Sequence, residues 1–226
     1  MATFCLIHGH WHDGSCWSAV ATVLRAQGHR VATPDMPFDR PHTYRERAQP
    51  AADAVAGAQP PVVVVGHSVA SAEAALVAAE HDASLLVHLC PRMGEYPVPE
   101  GAPDVFRPSF RFPPRQADGS LSWEPDDAIR EMYPRLSPQV AREAAGRLHP
   151  STSPLDAYPL PAPPDVPTAL VYTTDDEFFP PEWERFVARE VLHIDPIEMP
   201  GGHFPMIERP AELADLLDRL APAEQP

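Results

Sequence analysis

The stretch VVVVGHSVASAEAALVA at positions 62–78 constrains the chain more than any other. Consecutive valines entered from a proline read as a strand buried on both faces, and the Ala-rich run over 70–81 reads as a helix. Only Gly66-His67-Ser68-Val69-Ala70 joins them. The chain must therefore turn sharply with Ser68 at the apex, exposed on a strained backbone, and it needs small residues two positions to either side. Gly66 and Ala70 fill those flanks; glycine is usual at the second, so Ala70 is a departure. A strand–serine–helix turn of this kind presents a nucleophile.

The rest of the chain supplies a frame for such a turn. Strands are predicted over 3–8, 29–35, 61–67, 84–90 and 167–174, with a short one around 193–199. Between them Trp17, Val20, Val23 and Leu24 recur at helical spacing, and 180–190 and 210–220 read as helices. In the last of these Leu213, Leu216, Leu217 and Leu220 form an apolar stripe. The alternation predicts an α/β architecture with a mostly parallel central sheet, helices on both faces and right-handed crossovers. Over 91–165 prolines crowd together, strand-like runs vanish, and aromatic residues appear singly. Short helices are expected there over 125–133, and from a Ser137 N-cap with Pro138 at the first position to about Leu148. The expected division is a core of 1–90 and 166–226, with 91–165 as a small helical cap inserted after the fourth strand.

Composition narrows the partners. A length of 226 residues with 44% apolar content suits one domain with a sizeable core. The net charge of −15 argues against nucleic acid or an anionic membrane as partner. All 17 basic residues are arginine, a bias expected of a high-GC bacterial gene. Cys5, Cys16 and Cys90 lack a CxxC pairing, so neither a disulfide framework nor a zinc knot is indicated. No apolar run approaches the roughly 18 residues of a membrane span, and the chain enters TFCLIHG without a basic leader, so a cytoplasmic location is expected. The expected partner is a small-molecule substrate, with self-association as a homodimer left open.

A serine needs a base within hydrogen-bond reach, and the base a carboxylate that fixes its tautomer. His203 in PGGHFPMIERP lies between a strand end and the final helix, on a glycine-containing loop that can present an imidazole. VYTTDDEFFPPEW places Asp175, Asp176 and Glu177 at a strand end; Asp176 is preferred as the acid and Asp175 is the fallback. The chain order is then Ser68, Asp176, His203.

These motifs resemble the α/β-hydrolase fold superfamily over nearly the whole chain. LIHGHWHDGSCW, LRAQGHRVATPDMP, VVVVGHSVASAEA and GGHFPMIERPAELADLL are most similar to the compact branch of plant-type methylesterases, hydroxynitrile lyases and bacterial esterase-like relatives. The resemblance implies that main-chain N–H groups of His10 and Val69 form an oxyanion hole, that Gly9 permits close approach, and that Trp11 and His12 line the pocket. It also implies no cofactor. Hydroxynitrile lyases of this branch carry Thr and Lys where this chain has Gly9 and Phe204, which disfavours cyanide release.

The segment HGHWHDG at 8–14 poses a competing reading, because imidazoles at every second position suit zinc ligation. The role the elbow requires of this loop argues for oxyanion binding and no metal. His67, Phe204 and the cap residues Phe106, Phe110, Trp123 and Tyr133, with Met132, suggest a pocket for an apolar or aromatic ester. Arg107 and Arg111 could meet an anionic group. The expected activity is hydrolysis of a carboxylic ester, thioester or lactone through an acyl-serine intermediate. The alternatives are a cofactor-free lyase or cyclase using the His–Asp pair, and a non-catalytic small-molecule receptor.

Overall fold

A computed structural model describes residues 1–223. The strands β1 (Thr3–Ile7), β2 (Arg30–Ala32), β3 (Val62–His67), β4 (Leu85–Leu89), β5 (Thr168–Thr173) and β6 (Ile197–Met199) form a single sheet in the order β2-β1-β3-β4-β5-β6. Every pairing is parallel.

The valine run is continuous because both faces of the sheet are covered. Val63 and Val65 point into one apolar cluster with Phe4, Leu6 and Val87. Val62 and Val64 point into the other, with Cys5, Ile7 and Leu86. On the first face α1 (Ser18–Ala26) packs on α8 (Pro210–Leu220); on the second α2 (Tyr44–Val55) packs on α3 (Ser71–Glu80). The core thus sits in two layers around the sheet, and no helix among the described residues is long and apolar enough to cross a membrane.

Between β4 and β5 lie α4 (Pro125–Met132) and α5 (Pro138–Ala145), with α5 capped by the Ser137 hydroxyl. Trp123, Met132, Tyr133 and Ala141 join the same apolar cluster as β1 and β3. Isolated antiparallel bridges, Arg115 with Leu121 and Leu121 with Ser151, stiffen a stretch in which no strand-like run was expected. Many prolines now have a place: α4, α5, α6 (Pro181–Phe186), α7 (Pro205–Glu208) and α8 each begin with one. There its missing N–H costs no intrahelical bond.

The predicted elements are trimmed in several places. β2 pairs over three residues rather than 29–35, because only Arg30–Ala32 run beside β1. The helix of 180–190 splits into α6 and a wide π-type turn over Val187–Val191, closed by Leu192 N–H to Val187 O at 3.0 Å. Helix α2 was not anticipated. Pro50 and a run of charged residues hide its apolar spacing, yet Thr43 and Glu46 complete a capping box at its start.

At the elbow, a Cβ on Gly66 would lie 2.5 Å from Ala74 Cβ, 2.7 Å from Ala70 O and 2.9 Å from Ser71 Cα. Two of these are backbone atoms that cannot rotate away. Gly66→Ala is expected to lower the unfolding free energy by about 1–3 kcal/mol, as overpacking does, measured by urea denaturation. Unchanged stability would mean that α3 does not press on β3 as described.

Candidate active site

Ser68 follows the last residue of β3 and adopts φ +57°, in the left-handed region. That conformation costs a non-glycine residue roughly 1–2 kcal/mol and turns its side chain out of the strand line. Ala70 has φ −69°, an ordinary right-handed value, so its departure from glycine carries no backbone penalty. Across the turn Gly9 is pressed close: a Cβ there would lie 3.0 Å from Ser68 Cβ and 3.1 Å from His67 Nδ1.

The structure brings Ser68, His203 and Asp176 into one line. His203 Nε2 lies 3.0 Å from Ser68 Oγ and His203 Nδ1 lies 2.7 Å from Asp176 Oδ2. Asp176 Oδ1 accepts the N–H groups of Phe178 at 2.7 Å and Phe179 at 2.8 Å, so the carboxylate is fixed by its own loop. This defines the tautomer: Nδ1–H donates to Asp176 and Nε2 is free to accept from the Ser68 hydroxyl. Phe178 stacks on the His203 ring at 4.3 Å, and both His203 and Asp176 are about 1% exposed. The fallback acid, Asp175, is exposed at the surface, its Oδ2 accepting the Thr174 hydroxyl.

His67 is buried beside the nucleophile, with its Nε2–H donating to the His203 carbonyl at 2.8 Å. Burial, with the neighbouring His203, holds its pKa well below the ordinary imidazole value, so the ring is neutral.

Two of the three histidines of the 8–14 loop, His8 and His12, have both ring nitrogens engaged in hydrogen bonds. His8 donates from Nδ1 to Gly9 O at 2.8 Å and accepts Met36 N–H on Nε2 at 2.8 Å. His12 donates from Nδ1 to His10 O at 3.1 Å and accepts the Tyr133 hydroxyl on Nε2 at 2.8 Å. Neither ring keeps a lone pair for a metal. Burial lowers the pKa of His8 and His12 to about 4 each, and that of His10 to about 3, where Arg47 and Arg92 add to the effect. Trp11 carries φ +66° and is pinned by segment 91–165, donating to Leu121 O at 3.1 Å and accepting His149 N–H at 2.8 Å.

Among the described residues the only trio of metal-ligating types within reach of one another is Cys90, Asp176 and His203. Burial and the Asp176 charge push the Cys90 thiol well up, keeping it protonated, while Asp176 is already engaged by three donors. A protonated thiol and a saturated carboxylate make a poor ligand set.

A cavity of about 460 Å3 opens over Ser68, and His10, Trp11 and Val69 share its wall. Of the expected pocket residues, Trp11, Phe106 and Phe110 line it; Phe112, Phe178 and Phe179 line it as well. The expected Trp123, Tyr133 and Phe204 stand behind that wall instead. Trp123 packs edge-on against Trp11, Tyr133 is turned to His12, and Phe204 lies between His12 and His203. His12 faces a separate cleft of about 250 Å3 beside α1 and α5. Gly9 and His67 contribute close packing rather than lining. Arg107 donates to the Asp176 carbonyl and Arg111 to Pro108 and Phe110 carbonyls, whereas Arg92 and Arg115 reach the cavity.

Residues 6–216 match the alpha/beta hydrolase family, and the chain belongs to it. A probable esterase of Oryza sativa is 27% identical over 96% of this chain and 96% of its own length. A methylesterase from Arabidopsis superposes with a TM-score of 0.76 at 16% identity, covering 97% of this chain and 98% of that one. A pyrethroid hydrolase from Sphingobium faniae gives 0.73 at 20% identity, covering 99% and 98%.

The lowered histidines make stability pH-dependent. A folded pKa near 4 for His8 and His12, against an ordinary 6.5, means that the unfolded chain binds protons which the folded chain refuses. Their contribution is full above about 6.5 and is lost as the pH falls toward about 4. Urea unfolding between pH 7.5 and 4.5 is expected to show His12→Gln losing stability less steeply than wild type, by up to about 1.4 kcal/mol per pH unit. Parallel curves would contradict the neutral, buried assignment.

Proposed function

We propose that the protein is a carboxylesterase-type serine hydrolase acting on an ester of a small apolar or aromatic molecule. The observation that carries this reading is the Ser68–His203–Asp176 relay, with spacings of 3.0 and 2.7 Å, at the floor of an apolar cavity. The esterases and hydrolases among its relatives support the same reaction class.

In this reading Ser68 Oγ attacks the carbonyl carbon while His203 Nε2 takes the hydroxyl proton. Asp176, already oriented, stabilises the imidazolium. The charge that develops on the carbonyl oxygen falls to the His10 and Val69 main-chain N–H groups, the two residues that flank Ser68 in the cavity wall. Each such donor is typically worth ~3–4 kcal/mol on removal. Collapse of the tetrahedral species passes the proton from His203 to the departing alkoxide and leaves an acyl-Ser68 ester. Water, deprotonated by the same imidazole, then releases the acid and restores the serine.

The walls argue for the substrate class. Phe106, Phe110, Phe178 and Phe179 with Trp11 form an aromatic lining suited to an apolar acyl or alcohol group. Thioesters and lactones require the same steps. No resident cofactor enters the mechanism.

The test is hydrolysis of p-nitrophenyl esters of graded chain length, with intact-mass analysis after an organophosphonate probe. Ser68→Ala is expected to abolish turnover and the adduct, and Asp176→Asn to lower kcat about 10³–10⁴-fold. Turnover that survives Ser68→Ala would point instead to acid–base chemistry by the His–Asp pair. Binding of esters with no turnover and no adduct would point to a receptor.

A further inference from the structure

The relay leaves unexplained a cluster of charges packed against the back of His203. Two successive N–H groups of its loop are each held by a carboxylate: Gly202 N–H by Glu208 Oε2 at 2.7 Å and His203 N–H by Glu177 Oε2 at 2.8 Å. One cation serves both. Arg135, between α4 and α5, donates to Glu177 Oε1 and to the Asp175 carbonyl, and its Nε lies 3.7 Å from Glu208. The site is shaped for this arrangement: a Cβ on Gly202 would fall 2.7 Å from both Glu177 oxygens and 2.8 Å from Arg135.

With the His67 bond to its carbonyl, the backbone of His203 is thus held at both its N–H and its C=O. We infer that Glu177 is a positioning residue for the base, and that Arg135 is the contact through which segment 91–165 sets how firmly the base is held. This rests on the proposed role of His203. Displacements of about 1 Å at a proton-transferring group are enough to cost orders of magnitude in rate, so a grip on the peptide has kinetic weight.

The cluster also titrates in a useful range. Burial pushes Glu177 up to about 7, against the pull of His203 N–H and of Arg135, while the Asp176 charge pushes it further up. The other charged groups around it are Glu208 on α7, with Arg209 Nε 3.8 Å from its Oε1, and Arg107, Arg130, Glu131 and Asp175 at the rim of the adjoining cleft. Removing Arg135 takes away the cation that favours the ionised form. Glu177 then protonates at higher pH, and the grip weakens sooner as the solution is acidified.

The experiment measures kcat and KM of p-nitrophenyl butyrate hydrolysis across pH 5.5–9 for wild type, Arg135→Ala, Glu177→Gln, Glu177→Ala and Gly202→Ala, with melting temperatures. The acid limb of kcat for Arg135→Ala is expected to move up by about half a unit or more, and the Arg135→Ala change to have no such effect in a Glu177→Gln background. Glu177→Ala and Gly202→Ala are expected to lower kcat about tenfold or more with KM within about twofold. Acid limbs of Arg135→Ala and Glu177→Gln that superimpose on wild type would overturn the inference, as would effects confined to KM. Should Glu177→Ala fail to fold, those two limbs decide. His203→Ala separates the two levels: its loss of turnover with the limbs unmoved removes the clamp alone, and its retention of turnover removes the base.

Discussion

The left-handed backbone of Ser68 is the constraint on which the rest of the site depends. It is unfavourable for a serine, and it persists because the surroundings fix it from several sides. The sheet delivers the chain through a strand buried on both faces. Helix α3 departs at once, and Gly66 lets the two elements touch. The 8–14 loop closes over the turn through Gly9. A side chain at either glycine would press on the turn, so the strain is held by close packing on both sides of it.

Around that turn the protein keeps its imidazoles neutral and its charges engaged. His8, His12 and His67 are buried, and each is committed to hydrogen bonds that leave its ring a positioning element rather than a cation. Asp176 is held by three donors, which fix the orientation of its carboxylate. Such preorganisation reduces reorganisation during reaction. Segment 91–165 is part of this arrangement: it fixes Trp11 at both ends, caps His12 through Tyr133 and reaches the Asp176 loop through Arg107.

The sheet and the relay residues were legible in the sequence because each leaves a local signature. The valine run reports a doubly covered strand, the Gly-x-Ser-x-Ala spacing reports a tight turn, and His203 and Asp176 sit where strands end. The choice of Asp176 over Asp175 could rest only on the Phe-Phe-Pro that follows; in space the difference is burial. What the sequence hid depends on contacts between distant segments. Phe178 and Phe179 read as ordinary residues leading into a helix, yet they turn to face Ser68. Trp123 and Tyr133 read as pocket aromatics but pack behind the wall on Trp11 and His12. Helix α2 carried a Thr-x-x-Glu start signal at Thr43, which its interior proline and small apolar residues obscured.

In the proposed reaction the 8–14 loop and the elbow jointly receive the charge that develops at Ser68. The most direct measurement is a crystal structure of the protein inhibited by a p-nitrophenyl alkylphosphonate. Phosphorus is expected to be bonded to Ser68 Oγ, with one phosphonyl oxygen within hydrogen-bond reach of both the His10 and Val69 amides and the alkyl chain among the phenylalanines. An adduct on another residue, or a phosphonyl oxygen directed away from both amides, would contradict it.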